Sequence, residues 1–283
     1  MNSKLSKTCS KKRRRSNTEA GIALISVLWV LLLLSALAAS VSYTARTQAI
    51  LVHRELEIAQ TQAAADAGII ASISRLSDAQ VDRHPATNGS EQPWQFASAK
   101  IGISVSKEAG RIDLNKADKD LLLAFLYSRA VEPDSAAALV DQLHDWQTTK
   151  GALRSVDELK QIPAWKAQPL DCWADGLTVY TALPSVSPND AGPLVLAALK
   201  VAQERHLGGR DWVMPSSSSS GLTTDGSLLG EVLRISSEAT TSENVAATSV
   251  WVGRLTGDRG HPMLTMSWDH STAASAAGCR STQ

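Results

Sequence analysis

The side chains that could perform catalysis are scattered along this chain of 283 residues. Its six histidines do not have the spacing of zinc ligands; they are His53, His84, His144, His206, His261 and His270. Residues 216–220 are a run of serines, which is a low-complexity segment and not the sharp turn that exposes a nucleophilic serine. The stretch 209–214, GRDWVM, lacks the pattern of a phosphate-binding loop. We therefore expect no enzymatic activity.

The reaction that the sequence does indicate is one in which this chain is the substrate, namely cleavage near its N-terminus by a separate peptidase. Seven lysines and arginines precede Gly21, against one acidic residue, Glu19. Directly after Gly21 comes a segment without charge or proline, Ile22–Val41, IALISVLWVLLLLSALAASV. Such a segment forms a helix of about 30 Å, the thickness of a bilayer's hydrocarbon core. Because positive flanks stay in the cytoplasm, we expect the chain after Arg46 to lie across the membrane.

The residues leave three interpretations of this N-terminus open. The first is a simple membrane anchor. The second is a secretory signal peptide, because Ala36-Leu37-Ala38 fits the small-x-small pattern before a cleavage site. The third is a prepilin-type leader, in which a peptidase cuts after Gly21 and leaves the apolar helix on the mature protein. We favour the third, because a glycine lies at the polar–apolar boundary and no proline interrupts the amphipathic continuation from Tyr43 to Leu76.

The charge of the chain is unevenly distributed. The leader carries seven of the 28 basic side chains and one of the 28 acidic ones, so the remainder of the chain is acidic. An acidic body argues against nucleic acid as the main partner, because phosphate binding requires a cationic face.

The middle of the chain carries signals for several helices. Asn115 is a good N-cap residue, with Asp118 at the third helical position before an apolar run. A second helix is predicted over Asp134–Trp146, capped by Asp134 or Ser135 after Pro133.

Two further helix starts follow. Ser155 and Glu158 have the spacing of a capping box, and the short helix that they begin is expected to end at Pro163. The segment Val186–Leu199 repeats the order of asparagine, alanine and leucine in the first helix, so Asn189 is predicted to take the place of Asn115. These capped helices are expected to pack into one small domain.

Strand signals lie on both sides of the predicted helices. Ala99–Lys107 alternates apolar and small polar residues, which predicts a half-buried strand. Three later runs are bounded by serine, asparagine and glycine; they are Leu229–Ser236, Thr248–Leu255 and Leu264–Trp268. We expect the four strands to form an antiparallel sheet packed on the long N-terminal helix, in an α+β fold with the helices inserted between strands.

The leader, the long helix and the segment 111–126, RIDLNKADKDLLLAFL, resemble the minor pseudopilin K family of the type II secretion system (general secretion pathway protein K). The resemblance extends from Gly21 to about Leu207 and fades in the C-terminal part. It implies a pilin-like fold, in which a long N-terminal helix packs on an antiparallel sheet that carries an inserted all-helical domain.

The resemblance also assigns roles to residues at the N-terminus. A prepilin peptidase is implied to cut between Gly21 and Ile22, and Ile22 is implied to be N-methylated. Most pilins and pseudopilins have glutamate at the fifth mature position, which here is Ser26. The K family lacks this glutamate, so the departure supports the narrower assignment.

Together, these features predict six segments. They are a leader (1–21), an N-terminal helix (22–76, with 22–41 transmembrane and 42–76 amphipathic), a linker with the first strands (77–112), an inserted helical domain (113–209), C-terminal strands (210–270) and a disordered tail (271–283). The polar linker is expected to run from Ser77 to Pro93.

The implied function is structural. The family resemblance implies a minor pseudopilin at the tip of a periplasmic pseudopilus, with a single span of the bacterial inner membrane, the N-terminus in the cytoplasm and the C-terminal domain in the periplasm. The implied partners are the minor pseudopilins I and J, the prepilin peptidase and the inner-membrane secretion platform. A generic single-span periplasmic protein is an alternative interpretation.

A second alternative is a membrane-anchored DNA-binding protein of the helix-hairpin-helix type, which shares part of the helical pattern. Such hairpins hold a phosphate on the backbone amides of a glycine-rich turn. Here the matching turn, 162–165, contains Pro163 and Trp165, which remove an amide donor and add bulk. Lys160 and Lys166 flank this turn among acidic residues, so we expect no nucleic acid partner.

Many pseudopilin K proteins bind calcium through an acidic loop after the second helix. Here residues 147–151, QTTKG, carry no carboxylate, and the next one is Asp157. Calcium takes six to eight oxygen ligands, several of them anionic. Asp141 and Asp145 lie one helical turn apart, but solvation explains them better than an ion does. We expect no metal and no cofactor.

Two cysteines remain after removal of the leader, which contains Cys9. Cys172 and Cys279 would lie in an oxidising compartment, where a disulfide between them can persist. Sequence alone leaves open whether the two come within bonding distance.

Overall fold

The structure, a computed structural model, describes residues 18–78, 84–207, 228–241, 243–258 and 260–272, with the side chains of 18–23 and 272 left aside. Its helices are α1 (Thr18–Leu76), α2 (Lys119–Ser128), α3 (Pro133–Lys150), α4 (Leu170–Trp173) and α5 (Pro193–Glu204). Its strands are β1 (Asn88–Phe96), β2 (Ala99–Lys107), β3 (Ile112–Asp113), β4 (Leu177–Thr178), β5 (Val232–Thr240), β6 (Ala246–Leu255) and β7 (Met263–Thr272).

The chain divides into two units, Met1–Leu56 and Glu57–Gln283. In the first unit, α1 is helical from Thr18 onwards, and every described side chain from Leu24 to Leu56 is exposed. The second unit contains the rest of α1, the sheet and the remaining helices.

The main sheet has five antiparallel strands in the order β1-β2-β5-β6-β7. The predicted antiparallel sheet is therefore confirmed, and β2 covers the same residues as the strand predicted at Ala99–Lys107. Neighbouring strands β2 and β5 are far apart in sequence, and the inserted helices lie between them in the chain.

Strand β1 corrects the prediction that Ser77–Pro93 is a linker. It forms a hairpin with β2, and its side chains are mostly exposed. The prediction failed because an exposed edge strand needs no alternation of apolar residues. Pro93 also argued against a strand, but proline is tolerated at a sheet edge, where one row of backbone amides has no partner strand.

The second part of α1 packs on one face of this sheet. Ala65 and Ile69 of the helix and Ile235 and Trp251 of the sheet are fully buried in the shared core. Gly68 allows the close approach, because a methyl group added there would lie 2.3 Å from the Ser237 Oγ. The α+β fold with a long N-terminal helix on an antiparallel sheet is thus confirmed.

The inserted segment has a hydrophobic core of its own. Phe125, Trp165 and Trp173 pack edge to face at its centre, and the Trp165 Nε1 donates a hydrogen bond to the Leu139 carbonyl at 2.8 Å. The prediction that this domain is all-helical is wrong in one respect. Strands β3 and β4 form a short two-stranded parallel sheet, in which Ile112 and Asp113 at the start of the insert pair with the buried residues Leu177 and Thr178.

The helix caps differ from those predicted. Helix α2 is capped by Asp118, whose side chain accepts from the Asp120 amide at 2.8 Å, and not by Asn115. Helices α3 and α5 each begin with a proline, after Glu132 and Gly192. Proline has no amide hydrogen and fixes a helical φ, so these starts need no side-chain cap.

The predicted capping box also has a different arrangement. Residues Val156–Gln161 form a 3₁₀ helix, and the side chain of the N-cap residue, Ser155, makes no capping hydrogen bond. The Glu158 Oε2 instead accepts from the amide of Arg154 at 2.9 Å. The amide that Glu158 binds therefore lies one residue before the predicted N-cap.

Several predicted features lie outside the described residues. These are the leader up to residue 17, the stretch 209–214, the serine run 216–220 and the tail from 273 onwards. The predicted start of the tail at Ser271 is corrected, since β7 continues to Thr272.

The packing around Gly110 yields a stability prediction. A methyl group at Gly110 would lie 2.0 Å from the Asp190 carbonyl oxygen, whereas a methyl group at Gly192 would meet open space. We expect Gly110→Ala to lower the free energy of unfolding by about 3 kcal/mol through overpacking. The matched variant Gly192→Ala should lower it by less than about 1 kcal/mol. Urea denaturation followed by tryptophan fluorescence measures both, and equal values would contradict the packing.

Candidate functional site

The N-terminal helix carries the residues with predicted processing roles. Gly21 and Ile22 both lie inside α1, so the backbone is helical on either side of the predicted cleavage. Ser26 lies one turn further along the helix and is exposed, between Ile25 and Val27, which are exposed too. The roles of Gly21, Ile22 and Ser26 remain predictions.

The exposure of this helix has a physical consequence. Trp29 and Leu34 are more than half exposed, as are the other large apolar side chains described between Leu24 and Val41. Apolar surface of this extent is not stable in water and requires an apolar environment. By length and composition, α1 could cross a membrane.

Further along, α1 is fastened to the sheet by a polar cluster that the sequence did not reveal. The Asp66 Oδ1 accepts from the Ser249 Oγ at 2.5 Å and lies 3.1 Å from the His270 Nε2. The Gln62 Nε2 donates to the same Ser249 Oγ at 2.6 Å, and the Trp268 Nε1 donates weakly to Asp66 at 3.3 Å. The cluster therefore joins one turn of α1 to β6 and β7.

A sequence signal for this cluster existed. Gln62 and Asp66 lie one turn apart, next to the alanines that turn toward the sheet. A polar pair beside a buried helix face needs hydrogen-bond partners from another element. Only the tertiary structure identifies those partners, because β6 and β7 lie more than 180 residues later.

The region expected to replace a calcium loop is helical. Helix α3 continues through the QTTKG segment as far as Lys150. The carboxylate of Asp141 accepts a hydrogen bond from the Lys119 Nζ at 2.6 Å, and this bond raises the pKa of Lys119 above its ordinary value. No group of three or more histidine, cysteine, aspartate or glutamate side chains is arranged for a metal in the part of the chain that the structure describes.

Amide side chains hold the segment after α3. The Asn115 Nδ2 donates to the Leu153 carbonyl at 2.9 Å, and the Leu153 amide donates to the Asn115 Oδ1 at 2.8 Å. The Gln147 Nε2 donates to the Leu114 carbonyl at 2.8 Å. Asn115 is therefore a clamp between two loops, which explains why it does not cap α2.

At the turn that matches a helix-hairpin-helix motif, a buried tryptophan occupies the space and two carboxylates neutralise the charge of a lysine. The Trp165 side chain is 1% exposed and belongs to the core. The Lys160 Nζ lies 2.8 Å from Asp157 and 2.9 Å from Asp171, and hydrogen bonds to both carboxylates raise the pKa of Lys160. These contacts leave little positive potential for a phosphate at this turn.

Of the two cysteines in the predicted disulfide, only Cys172 lies among the described residues. Cys172 lies at the surface of the inserted domain, half-buried, and is disulfide-bonded. Cys279 and Cys9 both lie outside the described residues, so the pairing of Cys172 with Cys279 stays a prediction.

Comparison with known proteins finds this architecture in a solved structure, although it finds no match by sequence. No protein-family model matches the sequence, and no curated protein matches it. The structure is similar to a chain in the crystal structure of the GspK-GspI-GspJ complex from the type 2 secretion system of enterotoxigenic Escherichia coli. The TM-score is 0.51 at 12% identity, over 78% of this chain and 99% of that chain. This chain has a GspK-like minor pseudopilin fold. At this level of identity, the GspK-like fold is what the comparison establishes.

The clamp yields a prediction with a matched control. Asn115→Ala should lower the free energy of unfolding by about 2 kcal/mol, because two backbone groups lose their partner. Asn189, which the sequence pattern equates with Asn115, is exposed and makes no described side-chain hydrogen bond, so Asn189→Ala should change stability by less than about 0.5 kcal/mol. Denaturation curves in calcium and in EDTA should coincide for both variants and for the wild type. Equal losses in the two variants, or rescue of Asn115→Ala by calcium, would contradict the clamp.

Proposed function

We propose that this chain is a minor pseudopilin of the type II secretion system, located at the tip of a periplasmic pseudopilus and needed for protein export. The observation that carries the proposal is the GspK-like fold built on a single N-terminal helix that is apolar enough to cross a membrane.

In this proposal, the chain begins as a single-span protein of the inner membrane. The basic leader stays in the cytoplasm, and the sheet and inserted domain lie in the periplasm. The prepilin peptidase then removes the leader between Gly21 and Ile22, and Ile22 is methylated. The remaining helix keeps its apolar surface and can move from the bilayer into a fibre without a change of secondary structure, because each backbone amide is already bonded within the helix.

Ser26 supports a position at the tip. A carboxylate at this depth in a bilayer costs on the order of 3 kcal/mol unless a cation, such as the free N-terminal amine of another subunit, compensates it. A subunit with serine here cannot make that contact with a subunit beyond it. It needs none if nothing lies beyond it.

The inserted domain supports the same position by its size. It adds helices α2 to α5, with a hydrophobic core of their own, to the pilin-like sheet. We propose that this bulk prevents another subunit from covering the chain, so that it ends the fibre. Its partners in this role are the minor pseudopilins I and J and the inner-membrane secretion platform, and its function requires no calcium or other cofactor and no nucleic acid.

The mature N-terminus tests the processing step. Protein purified from cells with an active prepilin peptidase should begin at N-methylated Ile22 in intact-mass and N-terminal peptide spectra. Gly21→Leu should retain the leader in most molecules, whereas Ala38→Leu should be processed like the wild type. A chain that begins at Ala39, and whose cleavage Ala38→Leu blocks, would indicate a signal peptide. A wild-type chain that retains its leader would indicate a simple anchor.

A charge at position 26 tests the place in the fibre. Deletion of the chain should reduce export, and overproduction should shorten pseudopili. Complementation of the deletion with Ser26→Glu should restore export about tenfold less well than wild type, because the added carboxylate finds no cation at the tip. Ser26→Gln, which has the same size without the charge, should restore export almost fully. Full export with Ser26→Glu would place the chain within the shaft.

A further inference from the structure

A buried ionic cluster lies where the chain leaves the sheet for the inserted domain. Glu108 directly follows β2, is fully buried, and accepts a hydrogen bond from the Arg234 Nε of β5 at 2.5 Å. Its Oε1 also lies 3.8 Å from the Nη1 of Arg111, at the entry to the inserted domain. One carboxylate is therefore shared by an arginine of the sheet and an arginine of the segment that leads into the insert.

The same point is packed tightly against the inserted domain. The amide of Ser187 donates to the Ala109 carbonyl at 2.8 Å. The backbone of Asp190 lies so close to Gly110 that no side chain fits there. The Arg111 Nη1 also donates to the Ser106 Oγ of β2 at 3.2 Å. The segment 108–111, which carries two of the three charged residues, is therefore bonded to the sheet through their side chains and packed on the inserted domain through Ala109 and Gly110.

This cluster is poorly suited to stabilising the fold. Within the described structure, the Glu108 Oε2 and the Arg111 Nε are buried without a hydrogen-bond partner. Burial and the neighbouring charge of Arg234 lower the pKa of Arg111, against the opposing effect of Glu108. Buried ionic groups of this kind often stabilise no better than apolar residues of similar volume, and their best-attested use is to specify one arrangement over others.

We propose that Glu108, Arg111 and Arg234 set the angle between the inserted domain and the sheet, and do not hold either of them folded. The inserted domain has a hydrophobic core around Phe125, and the sheet has a separate one around Trp251. Each can therefore remain folded while the angle between them changes. The directional hydrogen bond from Arg234 and the ion pair with Arg111 hold Glu108, and with it the entry segment on which the insert packs, in one position on the sheet. Such contacts restrict the angle more than apolar contacts do. This proposal concerns the chain alone and does not depend on its role in secretion.

The experiment compares three variants of the full chain in detergent micelles. In the first, Glu108→Leu, Arg111→Met and Arg234→Met together replace the charges by apolar groups of similar volume. In the second, Glu108→Gln retains the shape and removes the carboxylate charge. The control, Lys107→Met, removes the neighbouring ion pair of Lys107 with Glu231 at 2.8 Å, which joins chain segments on the sheet side of the junction.

Spin labels introduced through unnatural amino acids report the angle. One label replaces Ser135, exposed on α3, and the other replaces Glu238, exposed on β5. A second pair at Ser135 and Leu196 lies within the inserted domain and reports its internal structure. Distances are measured by pulsed electron resonance after reduction, so that the disulfide of Cys172 does not restrain the domain.

We expect the distance distribution between Ser135 and Glu238 to become at least about twofold wider in the apolar triple variant and in Glu108→Gln, as the angle is no longer fixed. The distribution within the inserted domain should not change, and Lys107→Met should resemble the wild type in both. The melting temperature of the triple variant should stay within a few degrees of the wild type. An unchanged width in a folded variant would overturn the proposal. If the triple variant does not fold, the distance distribution of Glu108→Gln decides the question. If neither variant folds, the cluster holds the fold together, which would also overturn the proposal.

Discussion

The sheet has one apolar face, and that face must be covered. Ile101, Ile235 and Trp251 are buried on it, and the part of α1 from Glu57 to Leu76 covers them. Burial of apolar surface is the main favourable contribution to folding, so the sheet cannot form without this helix. The same helix continues towards the N-terminus, where the large apolar side chains described between Leu24 and Val41 are exposed. One continuous element therefore both completes the fold and supplies the segment suited to a membrane.

This arrangement explains how the sheet tolerates a large insertion. Lys107 at the end of β2 pairs with Leu233 at the start of β5, so the chain leaves and re-enters the sheet at neighbouring positions. An insert whose two ends are adjacent places no strain on the strands, and the cost of closing a longer loop grows only slowly with its length. Its separate core allows it to fold without sharing the core beneath the sheet.

The similarity to a chain of the GspK-GspI-GspJ complex at 12% identity is understandable in the same terms. A core requires apolar side chains of suitable volume at the right positions and tolerates many combinations of them. Features that depend on particular side chains vary more freely. In this chain, Asn115 and Gln147 hold the segment around α3 with neutral amides, which need no cation.

The sequence by itself determined the elements whose signals are local. The charge-free run after Gly21 predicts one long helix, and the alternation in 99–107 predicts β2, because burial on a single face imposes the period of the helix or the strand. Tertiary structure decided the partners of polar side chains. Asn115 was predicted to cap α2 but clamps Leu153, and Asp66 joins β6 and β7 through partners that the sequence does not identify. An amide or a carboxylate can accept from any donor that the fold brings near, and such donors lie too far along the chain for sequence spacing to reveal them.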